Sequence, residues 1–215
     1  MLEEDAYTYF LELIHESEDK WNCLDVKEDG RGETFVLWER IPSEEENTFP
    51  TIKCEGILPC SAKGLYDFML AADLKTRRKW DNSLVNCKVI REISPNNHLM
   101  HFIYSAPFPV QSRDFCVHRF LKEGNLPSSD KKSYSIWGIS IEDDDLLPQS
   151  QYIRGDILIS GYLIEEVTSN TCKITSVNKI DPKGWIPKFV INLTKLRPLQ
   201  KLIKLSQLIS KRNIS

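Results

Sequence analysis

Among the 215 residues of the chain, the most informative spacing for chemistry is that of Arg77, Trp80 and Asp81. On a helix they stand at i, i+3 and i+4 and share one face, while Arg78 and Lys79 point elsewhere. A guanidinium beside a carboxylate has two readings: a surface ion pair worth under about 1 kcal/mol, or a charged handle turned into the protein. Spacing leaves both open. Signatures of catalysis are weaker. His98 and His101 are three apart on a predicted strand and face opposite sides, which does not suit shared metal ligation, and His15 and His118 lie in other elements. The sequence contains no HExxH pair and no glycine-rich phosphate loop. Asp143-Asp144-Asp145 lacks the EF-hand pattern and reads as a solvated turn. Cys23, Cys54, Cys60, Cys87, Cys116 and Cys172 have no CxxC spacing and fall mostly in strand-like runs, as buried free thiols do. The expectation is neither a cofactor nor a metal, and no enzyme.

The second informative stretch runs from His98 to Phe120. Two runs rich in Phe, Ile, Tyr and Val flank Ser105–Ser112, where Pro107 and Pro109 cannot donate to a sheet ladder, so the chain must leave the sheet and return. Phe108 sits between those prolines at the loop tip. A large apolar ring there needs a partner: a membrane, an apolar ligand or another face of the protein.

These residues must be positioned by a mostly antiparallel scaffold. Residues 3 to 20 read as a helix, with Ala6, Tyr9, Phe10, Leu13 and Ile14 recurring at spacings of three and four. Strands follow at 21–26, 33–41 and 51–58, the second and third separated by the polar loop Pro42 to Pro50. Ser61 is a candidate N-cap for a helix through Ala72, and a second helical piece spans Leu74 to Trp80. Six more strands are predicted at 84–93, 98–104, 114–121, 134–141, 152–166 and 171–180. A long amphipathic helix closes the chain from Pro187 to about Lys211 and should bend at Pro198. Nine antiparallel strands curl strongly, and a helix laid across their mouth encloses a space.

Composition suits one domain, residues 1 to 215, with 41% hydrophobic and 27% charged residues. Neither a signal peptide nor an apolar run near the ~20 residues of a membrane span is evident, so a soluble cytoplasmic protein, peripheral at membranes, is expected. The net charge of -3 hides an asymmetry: residues 182 to 215 carry eight Lys and Arg and no acid. An anionic membrane surface, nucleic acid or a solvated basic helix face would each account for it. Nucleic acid is disfavoured, because the basic residues punctuate an apolar stripe that a phosphate-tracking segment would not need. Inside, alternation groups Phe102 with Met100 and Tyr104. It also groups Cys172, Ile174, Ser176, Asn178 and Ile180, more polar than an ordinary core.

The chain resembles the START domain, the family of steroidogenic acute regulatory protein-related lipid transfer modules, from about Leu2 to Ser210. Three ordered motifs carry the likeness: Arg77-Arg78-Lys79-Trp80-Asp81; Pro107-Phe108-Pro109 leading to Arg113-Asp114-Phe115; and Asp181-Pro182-Lys183-Gly184-Trp185-Ile186-Pro187 with Asn192. The resemblance implies an α+β helix-grip fold, a curved antiparallel sheet gripping the C-terminal helix around a lipid tunnel. By its phosphatidylcholine-transfer branch, it implies Arg77 facing a lipid phosphate with Asp81 as its neighbour. It further implies Phe102, Tyr104, Phe115, Trp137, Leu158 and Asn178 along the tunnel. Pro107, Phe108, Pro109, Phe189 and Leu193 would form the lid and membrane contact. The branch's choline cage falls on Phe102, Phe115 and Leu158, where an aliphatic wall weakens cation-π attraction. The expected ligand is a phospholipid, with a ceramide or sterol still open. The expected protein is a monomeric lipid-transfer protein or, alternatively, a lipid-sensing module that signals to a partner.

Overall fold

The computed structural model describes residues 3–42, 49–126 and 131–211; the predicted loop Pro42 to Pro50 therefore lies mostly outside the described residues. Helix α1 (Glu3–His15) leads into β1 (Trp21–Glu28), β2 (Thr34–Arg40) and β3 (Thr51–Leu58). Helices α2 (Ala62–Ala71) and α3 (Leu74–Arg77) then precede β4 (Leu84–Ser94), β5 (Asn97–Tyr104), β6 (Arg113–Asn125) and β7 (Lys132–Ser140). The chain ends with β8 (Ile153–Arg154), β9 (Asp156–Thr168), β10 (Thr171–Asp181), α4 (Lys188–Lys195) and α5 (Arg197–Ser210). The sheet order is β1-β2-β3-β10-β9-β7-β6-β5-β4. Nine strands form this antiparallel path, and a tenth, β8, pairs parallel with β6. The strand predicted over 152–166 thus divides in two around Gly155, where a Cβ would stand 2.4 Å from the Phe115 ring.

Local chemistry explains the helix boundaries. Ser61 caps α2 by accepting from the Gly64 amide at 3.1 Å, and Asp73 caps α3 by accepting from Thr76 at 2.7 Å. The closing segment breaks at Leu196 and restarts with Pro198 in the first turn of α5, a position that needs no backbone donor.

Two apolar layers sandwich the sheet. On the outer face Ala6, Phe10 and Leu13 of α1 pack against Phe120, Trp137, Ile139, Ile159, Leu163 and Val177. On the inner face Leu199, Leu202, Leu205 and Ile209 of α5 join Phe35, Leu37, Ile52, Cys54 and residues of α2. Each fully buried aliphatic side chain contributes about 1.5–3 kcal/mol, so four such residues at helical spacing hold one end of α5 firmly. The β1–β2 turn fastens that end: Ser206 donates to Asp29 at 2.7 Å and Gln207 donates to the Asp29 carbonyl at 2.9 Å. A smaller group on the same face, Met100, Phe115, Val117 and Ile157, packs with Phe102 and Tyr104.

Candidate functional site

A cavity lies between the inner face of the sheet, helix α2, the turn after α3 and the closing helices. The space open to the centre of a water molecule is about 340 Å³. Its floor is drawn from alternate residues of β5, β6, β9 and β10: Phe102 and Tyr104; Phe115, Val117 and Arg119; Ser160 and Tyr162; Ser176 and Asn178. The mix of apolar rings and small polar groups is that of a ligand chamber. Ser160 donates to Asn178 at 2.8 Å across two strands, so this polar pair is satisfied internally.

One end of the cavity is charged. Arg77 donates from Nε to the Ala72 carbonyl at 2.9 Å and from Nη2 to Met69 at 3.0 Å, using carbonyls that the end of α2 leaves open. This clamps the guanidinium by one edge and leaves the other edge to the cavity. Helix α3 ends at Arg77, yet the Asp81 amide still donates to the Arg77 carbonyl at 2.9 Å. The turn therefore keeps Arg77, Trp80 and Asp81 on one side, as the spacing predicted, and that side borders the cavity. Asp81 does not partner Arg77. It accepts from Ser83 at 2.8 Å and pairs with Lys201 of α5 at 2.7 Å, because helix docking places that ammonium closer than Arg77, which is held by α2. Burial alone would lower the Lys201 pKa; Asp81 and the neighbouring phenols outweigh it and raise it. Burial raises the Tyr104 phenol.

Of the residues expected along the tunnel, Leu158 lies elsewhere. Leu158 is 37% exposed and does not border the cavity. The β9–β10 register slips between Lys179 and Ile180, so Ile157 and Ser160 face inward while Leu158 falls in the bulge. Trp137 borders the cavity, but its ring stacks with Phe10 and Phe120 on the outer face under α1. Its inward neighbours are Ile136 and Gly138. Phe102, Tyr104, Phe115 and Asn178 do line the cavity.

The sequence reading also missed Arg119, Arg197 and Lys201, all of which line it. Alternation from Phe115 through Val117 carried the signal for Arg119. Burial, and secondarily Arg77, lower the pKa of Arg119, and burial lowers that of Arg197.

The loop between β5 and β6 and helix α4 border a further part of the cavity. Ala106 and Val110 turn inward, as do Ile186, Val190, Ile191 and Thr194. Phe108, in a loop with a cis Phe108–Pro109 peptide, is 94% exposed; Trp185, Phe189 and Leu193 are 78%, 55% and 54% exposed. Arg113 ties this part together, donating to the carbonyls of Gln111, Pro182 (3.1 Å) and Lys183 (3.0 Å). Arg197 adds a bond to Ser105 at 3.3 Å.

A family model described as the START domain matches residues 2–196. The chain belongs to the START domain family. Over 152 residues this START domain is 29% identical to START domain-containing protein 10 of Homo sapiens, covering 69% of the chain and 49% of that protein. It thus spans about half the length of that relative. It is 27% identical to the acetyl-coenzyme A thioesterase of Mus musculus over 72% of the chain and 27% of the relative. Human StAR-related lipid transfer protein 5 shares the fold at a TM-score of 0.80 and 17% identity, covering 98% of this chain and 95% of that one. The START domain is mainly a lipid-binding fold, which agrees with the chamber described above.

Proposed function

We propose that this START domain is a lipid carrier that takes one phospholipid into its cavity and moves it between membranes. The observation that carries this reading is a largely apolar chamber with a guanidinium, Arg77, fixed by one edge at its end and open on the other. Such a fork can bind two phosphate oxygens, which an ammonium cannot.

Energetics favour a carrier whose exchange partner is a bilayer. Withdrawing about 30 methylenes from water at about 0.8 kcal/mol each gives roughly 24 kcal/mol, far too much for release into water. A bilayer offers the chains nearly the same environment, so transfer between cavity and membrane is close to neutral and opening becomes the slow step. Phe108, Trp185, Phe189 and Leu193 are exposed apolar residues, and Lys183 and Lys188 adjoin Trp185 and Phe189 along the chain. That combination suits insertion into an anionic interface. No helix among the described residues is long and apolar enough to cross a membrane.

Hydrolysis, as in the thioesterase relative's name, is disfavoured on this chain's own groups. Asp81, the carboxylate bordering the chamber, is engaged by Lys201 and Ser83, which leaves it poorly placed to act as a base.

The test is transfer of fluorescent phospholipid from donor to acceptor liposomes, with native mass spectrometry of the purified protein. A one-to-one lipid complex and catalysed transfer are expected. A protein that loads lipid but never delivers it would be a sensor, and one that loads none would refute both readings.

A further inference from the structure

The charges bordering the cavity are strongly uneven. Among the described residues, six cationic side chains line it, Arg77, Arg113, Arg119, Lys195, Arg197 and Lys201, against the single carboxylate of Asp81. Lys195 pairs with Glu39 at 2.6 Å, Arg113 is bound to loop carbonyls, and Lys201 matches Asp81. Arg77, Arg119 and Arg197 remain without a carboxylate in ion-pair range. Arg119 is the decisive one: its Nε is buried and bonds to nothing, and Arg77 is near enough for their like charges to oppose one another. Two guanidiniums bordering one apolar chamber are costly unless an anion lies between them.

The chamber is equally poor at receiving a cation. The Tyr104 ring already has the Lys201 ammonium 5.1 Å from its centroid, and the Trp80 ring packs on Phe68 at 5.5 Å. Phe102 and Phe115 pack on Tyr104 at 6.3 and 6.0 Å, and Leu158 lies outside. A quaternary ammonium would therefore enter a net positive region in which the Tyr104 ring is already taken.

We infer that the cavity selects a phospholipid with a net anionic headgroup, of the phosphatidic acid or phosphatidylglycerol kind, over a zwitterionic one, with Arg119 as a second anion-binding guanidinium beside Arg77. This rests on the carrier reading above. The chemistry recognised is a phosphate not neutralised by an attached ammonium. Lys201 strengthens the selection, because its charge prevents Asp81 from serving as a counter-ion to a ligand ammonium.

The experiment offers the intact protein one vesicle population containing phosphatidylcholine, phosphatidylglycerol, phosphatidic acid and oleate in equal amounts, so that surface attraction is common to all. The protein is then separated and its lipid identified by mass spectrometry. The acidic phospholipids should be enriched over phosphatidylcholine by about tenfold, the effect of one modest charge interaction in a partly desolvated site. Arg119→Lys should keep most of the preference, and Arg119→Gln, with a circular-dichroism melt confirming its fold, should bring the ratio towards one. Phosphatidylcholine taken equally or preferentially would overturn the selectivity and leave the carrier reading standing. Oleate taken in place of phospholipid would overturn the headgroup assignment, an unchanged ratio in folded Arg119→Gln would remove Arg119 from the site, and a protein that takes up no lipid would refute the carrier reading itself.

Discussion

Asp81 Oδ2 lies 2.7 Å from Nζ of Lys201, and both groups are largely withdrawn from solvent. This pair joins the turn after α3 to the closing helix α5 beside the cavity.

Removing the cation should therefore loosen the closing helix. Lys201→Met leaves a buried carboxylate uncompensated, with an expected loss of about 3 kcal/mol, read as a lower midpoint in urea or heat unfolding. Asp81→Asn combined with Lys201→Met should recover much of that loss, since no unpaired charge is left inside. A double variant no more stable than the single one would show that the pair is not what holds the helix.

Phe108 is exposed at the loop tip, where it stabilises nothing within the protein. Phe108→Ser should leave thermal stability and lipid occupancy unchanged within error and slow liposome-to-liposome transfer severalfold, by weakening insertion into the interface. Equal transfer rates in mutant and parent would remove the loop from the gating step.

The Asp114 carboxylate accepts from His101 at 2.9 Å and from Arg154 at 2.8 and 3.2 Å on the outer face. Burial opposes its ionisation, but the bonds from Arg154 and His101 outweigh this and hold its pKa below the usual carboxylate value. A depressed folded pKa means that the native state binds fewer protons than the unfolded chain. The stabilisation is therefore complete above about pH 4 and is lost as pH falls through the folded value. Asp114→Asn should lower stability at pH 7 and flatten the acid limb of an unfolding profile measured between about pH 2 and 5.

Gly161 pairs with Trp137, and a Cβ there would stand 2.7 Å from the Ile136 carbonyl, 2.7 Å from the Trp137 Cβ and 2.9 Å from Phe10. Two of those atoms belong to the central sheet backbone or its first side-chain carbon and have little room to give. Gly161→Ala should cost about 1–3 kcal/mol through overpacking, visible as a lower melting temperature, with α1 the element most disturbed.

Leu158 lies in the bulge outside the chamber. Leu158→Ala should leave lipid loading unaltered, whereas Tyr104→Ala should reduce it in the same mass-spectrometric assay. Loss of loading in Leu158→Ala would mean that the bulge does not persist in solution.

Much of this molecule was written locally. Ser61 as a cap, Pro198 at a helix restart, the turn between β4 and β5 and the shared face of Phe102 and Tyr104 all follow from short-range sterics, hydrogen bonding and two-residue alternation. From these, a curled sheet shut by its own last helix was already implied, whereas Arg77 facing its interior came from the family resemblance, since spacing alone left it open. What the chain could not specify locally were the pairings made when distant elements dock. Alternation divides a strand into two faces without saying which is concave, so it could not tell that the Trp137 ring would stack under α1 while the residue still borders the cavity. A single bulge between Lys179 and Ile180 turns Leu158, which the resemblance placed at the tunnel wall, away from the cavity. Asp81 found Lys201, remote in sequence, instead of the arginine four residues away, because backbone carbonyls of α2 had already fixed Arg77. The position and sign of charge around the cavity therefore depend on how helices seat on the sheet, which only the assembled structure determines.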